Sequence, residues 1–330
     1  MPAPDRDALI LAAAVGGLLA VATAVGRLLR RRVATDAGRR TIDNFNARVA
    51  AWWVMALVFG AAISFGLLGA CVLFGLVSFF ALREMITLTP TRLGDHHALF
   101  WAFFVIPPIQ YVCVYVGWQD FWSIFVPVYC FLFLAVRSTL LGDTRCYLER
   151  TAKIQWALMI CVYFVSHAPA LLTLASHEAA GMVGAGTSAL AVAIPPGSGW
   201  KLLVWLVVVV QMSDVLQYVW GKLLGRRKIA PTVSPSKTWE GFAGGVLSAT
   251  AVGVGLSFLT PFDVRVAIGM GLTVCLMGFF GGIVMSAIKR DAGVKDYGAL
   301  IAGHGGMMDR IDSLTFAAPV FYRLVRHYYP

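Results

Sequence analysis

Between Arg48 and Arg83 the chain carries no charged side chain, and the uncharged stretch Ala51–Leu82 alone is thirty-two residues long. As a single helix it would measure about 48 Å, against a hydrocarbon core of ~30 Å. Two helices joined by a tight turn near Gly66–Gly69 fit better, returning the chain to the side it left. This constraint recurs. Apolar runs appear at about residues 8–26, 98–118, 121–136, 154–176, 199–220, 241–260, 266–286 and, shorter, 313–325. Mean hydropathy is +0.76 and only 13% of residues are charged, about half the roughly 25% of an ordinary soluble domain. In lipid every backbone polar group must be satisfied within the segment, which selects helices. The short alternating strands of a membrane barrel are absent. The expected fold is therefore all-α, a polytopic integral membrane protein of about nine to ten transmembrane helices.

The net charge of +10 does not indicate nucleic-acid binding, because the cations sit at the ends of the apolar runs. Lys and Arg accumulate in cytoplasmic loops. With the N-terminus outside, the loops 27–50, 83–97, 137–153, 221–240 and 287–312 are cytoplasmic and hold 22 of the 27 Lys and Arg residues. The first run is too long for a signal-peptide core, and its positive charge follows rather than precedes it. The six cysteines are scattered without a C-x-x-C pair and read as small buried hydrophobes. The 177–198 loop, rich in Gly and Ala, reads as a passive outer connector. Arg83-Glu84 reads as a local pair at the end of a span. Asp95-His96-His97 reads as a weak metal candidate, since adjacent histidines chelate one ion poorly.

Two segments carry chemistry, both on the cytoplasmic side. In 286–312, Gly293, Gly298, Gly303, Gly305 and Gly306 let main-chain N–H groups approach a ligand closely, as phosphate-binding nests require. Lys289, Arg290, Lys295 and Arg310 supply countercharge. Asp296, Asp309 and Asp312 would repel a bare phosphate, so their presence points to a divalent cation lying between carboxylates and phosphates. Asp309 and Asp312 share a face if a helix begins there. His304, set between glycines, is placed to contact a ligand.

The second segment runs from Asp214 to Gly241. Asp214 lies inside an apolar run with no basic residue within seven positions. An intramembrane carboxylate is costly and marks a functional site by default. After a Ser-Pro-Ser turn, Ser236, Lys237 and Thr238 stand before a helix N-terminus, suited both to capping and to phosphate binding. Gly241, Gly244 and Gly245 suit close helix packing.

The motif S-x-x-K-R-x4-K-D-x-G-x4-G-H-G-G-x-x-D-R-x-D beginning at Ser286 resembles the signature of the phosphatidate cytidylyltransferases, with every fixed position matched. The stretch from Asp214 through Gly221-Lys222 and Gly225 to Ala230-Pro231, Ser234-Pro235 and Lys237-Thr238-Trp239-Glu240-Gly241 is similar to the same family's upstream segment. The resemblance covers about 199–330 and is looser before it. It departs at Val215-Leu216-Gln217, at Ala302 where many members carry Pro, and in the N-terminal third, which looks like a divergent bacterial subgroup. These departures bear on acceptor preference.

The resemblance implies N-terminal membrane helices over 1–198 and a catalytic unit over 199–330. It implies a nucleotidyltransferase of the bacterial inner membrane, with its site facing the cytoplasm. CTP and phosphatidic acid would give CDP-diacylglycerol and pyrophosphate with Mg2+, and the donor set admits a second cation. Asp214, Asp296, Asp309 and Asp312 form the implied metal pool. Lys237, Lys289, Arg290, Lys295, Asp296 and His304 form the implied catalytic set. Ser236, Thr238, Ser286, Gly303, Gly305, Gly306 and Arg310 are implied to bind the nucleotide. Implied partners are the bilayer and a second copy of the chain, but not nucleic acid. The alternatives are a CTP-dependent cytidylyltransferase or kinase for another lipid, or a non-catalytic lipid-binding or transport paralogue.

Overall fold

The computed structural model describes residues 6–33, 35–89, 91–140, 142–174, 197–300 and 305–329. Within these, eight helices are long and apolar enough to cross a membrane. They are α1 (Arg6–Arg32), α2 (Asp36–Ser64), α3 (Gly66–Thr87), α4 (His96–Val116), α5 (Gln119–Thr139), α6 (Tyr147–Leu174), α7 (Gly199–Leu224) and α9 (Val264–Asp291). Two further helices pack among them, α8 (Trp239–Gly255) and α10 (Met308–Tyr328). The chain is an all-α polytopic membrane protein. The exception to helix is a small antiparallel ribbon, β1 (Lys228–Ala230) with β2 (Ser234–Thr238), paired Lys228 to Thr238 and Ala230 to Ser234. The expected Ser-Pro-Ser turn is thus a strand, and the turn falls at 231–233. Pro235 is tolerated there because a two-stranded ribbon has only edges.

The uncharged stretch does split where expected. α2 ends at Ser64, and Gly66 adopts φ +65°, a left-handed conformation that a side chain would disfavour. Elsewhere the helices outrun the apolar runs. The expected loop 27–50 is mostly helix, ending α1 and opening α2, with Arg30 paired to Asp43 at 2.8 Å. Lys289 and Arg290 lie in the last turn of α9 rather than in a loop. The reason is that Arg, Lys and Ala favour helix in water as well as in lipid, so a helix does not stop where its hydrophobicity does. The outer connector 177–198 falls almost wholly outside the described residues.

α4, α5 and α6 each contain a π-helical segment, at Trp101–Val105, Phe125–Cys130 and Met159–Phe164. The first ends two residues before Pro107, the second contains Pro127, and the third ends five residues before Pro169. A proline removes a donor from the helical ladder, and a local widening re-satisfies the freed carbonyls. α6 is the most enclosed span, whereas α1 is buried on none of its apolar window and belongs to the lipid-facing periphery.

The site is framed by α7, α8, α9 and α10. α7 and α8 approach closely: a Cβ on Gly241 would stand 2.9 Å from the Gly221 Cα and 2.8 Å from the Gln217 carbonyl oxygen. The small residues of the sequence motif therefore set helix packing, as expected of them. Five cysteines are buried, Cys146 is exposed, and none is paired.

Candidate active site

α9 ends at Asp291 and α10 begins at Met308, with the glycine-rich loop between them. Asp309 ties the three together. Its Oδ1 accepts from Lys289 Nζ at 2.8 Å, while Oδ2 accepts from the Tyr297 and Gly306 N–H groups at 2.9 and 3.0 Å. The ion pair is enclosed, with Lys289 and Asp309 side chains 12% and 6% exposed. Lys289 Nζ also lies 5.3 Å from the Tyr297 ring centre, and the Tyr297 hydroxyl donates to the Met285 carbonyl.

One turn further along α10, Asp312 has different surroundings. Its Oδ1 accepts the Ser313 N–H at 2.8 Å. That oxygen also accepts from the Ser313 hydroxyl at 3.5 Å, and on α7 the half-buried Asp214 lies within electrostatic reach of Asp312, Lys237 and Arg310. Lys237 enters from β2. Its Nζ sits 4.6 Å from the Phe279 ring centre and 3.4 Å from the Phe279 carbonyl oxygen. A Cβ on Gly282 would come within 2.7 Å of that Nζ, so the bare glycine on α9 leaves the lysine its channel. Burial pulls the Lys237 amine below its ordinary value, and the Asp214 and Asp312 carboxylates oppose that pull.

Two facing carboxylates repel one another unless a cation lies between them or a proton is taken up. Among the described residues no group of three or more His, Cys, Asp or Glu side chains gathers to cage a metal. Asp214 and Asp312 are the carboxylates that could hold a divalent cation here, since Mg2+ takes one or two carboxylates and draws its remaining ligands from water and phosphate. Arg310 adds a buried Nε that has no hydrogen-bond partner among the described residues, while its carbonyl accepts from Gln211 on α7.

The other expected site residues divide by their contacts. Arg290 donates to the Val233 and Val294 carbonyls, bracing the β-ribbon against the loop. Ser286 donates to the Gly282 carbonyl of its own helix. Thr238 is buried and caps α8, its Oγ1 accepting the Gly241 N–H at 3.1 Å. Ser236, Lys295 and Asp296 are exposed. Asp296 makes no ion pair or hydrogen bond among the described residues, and its Cβ lies 3.6 Å from a Cβ built on Gly305. Gly303 and His304 lie outside the described residues.

Glu84 is the residue that sequence reasoning missed. It does not form the expected local pair. Instead it is buried at the end of α3, and its two oxygens accept the Met307 and Met308 N–H groups, both at 2.8 Å. The available signal was its context: Met85 and Ile86 continue the apolar run beyond it, so Glu84 is not a boundary residue. With Phe80, Arg83, Thr87 and the 297–300 segment it lines a cavity of about 250 Å³. Asp95 is a structural residue, buried and paired with Arg150 at 3.0 Å, and it accepts the Arg92 N–H.

The order of these parts along the chain matches a known family. The model of the cytidylyltransferase family matches residues 46–328. This chain belongs to the cytidylyltransferase family. α1 precedes the matched region. An uncharacterized protein of Escherichia coli K12, YnbB, is 36% identical over 311 residues, covering 94% of this chain and 95% of that protein. The phosphatidate cytidylyltransferase of Staphylococcus aureus strain COL is 37% identical over 124 residues, covering 37% of this chain and 48% of that protein. That of Mycobacterium bovis is 41% identical over 123 residues, covering 37% and 40%. Similarity to proteins with that name thus covers less than half of either partner. Near full-length similarity is to a protein without an assigned activity, as suits a divergent subgroup.

Proposed function

We propose that this protein transfers the cytidylyl group of CTP to the phosphate of phosphatidic acid, in a Mg2+-dependent reaction at the cytoplasmic face of a bacterial inner membrane. The observation that carries the reading is the convergence of Asp214, Lys237 and Asp312 from α7, β2 and α10 beside the glycine-rich loop. The names of the Staphylococcus and Mycobacterium relatives support the choice of acceptor.

In the reaction a non-bridging oxygen of the lipid phosphomonoester attacks the α-phosphorus of CTP. The bond from that phosphorus to the oxygen bridging to the β-phosphorus breaks, and pyrophosphate leaves with the electron pair. The nucleophile is already anionic near neutral pH, so no general base is required. The protein's work is positioning and charge neutralisation. Asp214 and Asp312 would hold Mg2+, which when bound offsets the charge of the triphosphate. Lys237 and Arg310 line the same space and would hold phosphate oxygens, Arg310 through its buried Nε. Lys295 and Asp296, exposed on the loop, are placed to meet the nucleotide with His304 and the flanking glycines. Asp309, whose oxygens are already engaged, holds the loop's shape. The cavity beside α3 has apolar walls with Arg83 and Glu84 among them, and Arg83 would meet the phosphate of an acceptor arriving from the bilayer while CTP arrives from water.

The test is direct. Purified protein in detergent receives CTP labelled at the α-phosphorus, MgCl2 and phosphatidic acid. Label should enter the lipid in a one-to-one ratio with pyrophosphate released. A second acceptor is a distinct reading, favoured by the limited coverage of the named relatives. It predicts transfer to another phosphorylated lipid but not to phosphatidic acid. Absence of transfer to either overturns the enzyme reading.

A further inference from the structure

We infer that Glu84, from the N-terminal half of the chain, is a positioning residue that sets the aspartate pair by clamping the start of α10. The inference rests on the magnesium–nucleotide reading above and deepens it. A helix N-terminus leaves its first N–H groups without intrahelical partners. α10 has no side-chain cap of its own from Met307. Glu84 supplies two of the missing acceptors at once, from a residue more than two hundred positions away in sequence. The carboxylate charge also complements the positive end of the helix dipole.

The clamp is built to fit. Around Glu84 the loop presents glycine twice. A Cβ on Gly306 would stand 2.3 Å from Glu84 Oε2, and one on Gly298 would stand 2.8 Å from Oε1. Any larger residue at Gly306 would displace the carboxylate from its donors. Met308, whose N–H it holds, is followed directly by Asp309, and Asp312 lies one turn on. Residues behind metal ligands commonly alter metal affinity or activity by about 10–100-fold. Glu84 touches no candidate ligand itself. It fixes the backbone from which Asp312 faces Asp214.

Two variants test this from opposite sides of the contact. Glu84→Gln keeps the shape but replaces one acceptor oxygen with a donor. Gly306→Ala leaves Glu84 intact and pushes it away. Two readouts are needed. One is the MgCl2 concentration giving half-maximal cytidylyl transfer. The other is the rise in melting midpoint produced by MgCl2 with CTP. Each variant should need about tenfold more MgCl2 or above and show a smaller rise. Glu84→Asp, which retains charge but reaches less far, should recover part of the loss.

A lower melting midpoint without ligand, combined with wild-type magnesium dependence, would assign Glu84 to stability alone and overturn the inference. Should Glu84→Gln fail to accumulate, Gly306→Ala decides. A wild-type protein that neither transfers nor responds to MgCl2 with CTP removes the underlying reading instead. A wild-type protein that responds, alongside variants that respond equally, removes only the role of Glu84.

Discussion

Asp309 and Asp312 stand one turn apart on α10, in one motif, and their surroundings are opposite. Asp309 accepts three hydrogen bonds, from Lys289 and two backbone N–H groups, and is nearly sealed from solvent. Asp312 accepts the Ser313 N–H and, at 3.5 Å, the Ser313 hydroxyl through Oδ1 alone, and lies within electrostatic reach of a second carboxylate, Asp214 on α7. Buried carboxylates need partners. The protein supplies them in the first place; in the second, on the reading proposed above, a cation would supply them. A string of acidic residues in one motif therefore need not act as one metal pool. One member can hold the backbone that aims another.

This contrast can be broken by substitution. The largest effect is expected at the facing pair. Asp214→Asn or Asp312→Asn should lower turnover by about 10³-fold, the scale on which a preorganised electrostatic group acts, with the melting midpoint little reduced. Initial rates of label transfer and a thermal melt check both halves. Wild-type rates in either variant would remove the pair from the site.

Next comes Lys237. Its replacement by Ala should cost about 10²-fold in the same assay. Burial holds its amine below the ordinary lysine value, so the proton leaves at lower pH than from an exposed lysine. Activity should therefore fall on the alkaline side before the usual lysine range. Lys237→Arg, which stays charged, should move that limb to higher pH in a pH–rate profile. An unmoved limb would separate Lys237 from the phosphates.

Asp309 should respond in the other currency. Asp309→Asn strands the enclosed Lys289 ammonium, and losing one member of such a pair costs about 3–5 kcal/mol. Its melting midpoint should fall well below those of the Asp214 and Asp312 variants. Removing the stranded charge as well, as in Lys289→Met with Asp309→Asn, which keeps an amide oxygen for the backbone donors, should restore part of the stability. The smallest effect is expected at Thr238. Its replacement by Ala removes the α8 cap for about 1 kcal/mol, readable as a modest drop in melting midpoint.

Much of this architecture was legible in the chain. The Ala51–Leu82 stretch required a hairpin, and the turn lies at Gly66. The capping role of Thr238 and the packing role of Gly241 followed from residue type and position. The start of α10 was not: the last apolar run covers about 313–325, a helix at Asp309 stood only as a condition, and α10 begins at Met308. What escaped was distance in sequence. The Glu84 clamp joins residues more than two hundred positions apart, and nothing periodic announces such a contact. Helix ends escaped as well, because apolarity marks the bilayer and not the helix, as the charged continuations of α1, α2 and α9 show. The unequal surroundings of Asp309 and Asp312 depend on which neighbours the loop brings back, and spacing alone does not carry that.

Mn2+ can stand in for Mg2+ and be counted by electron paramagnetic resonance. Its binding to the detergent-solubilised protein with CTP should be lost in Asp214→Asn and Asp312→Asn and kept in folded Asp309→Asn. Binding that survives in the first two variants and vanishes in the third would contradict the account.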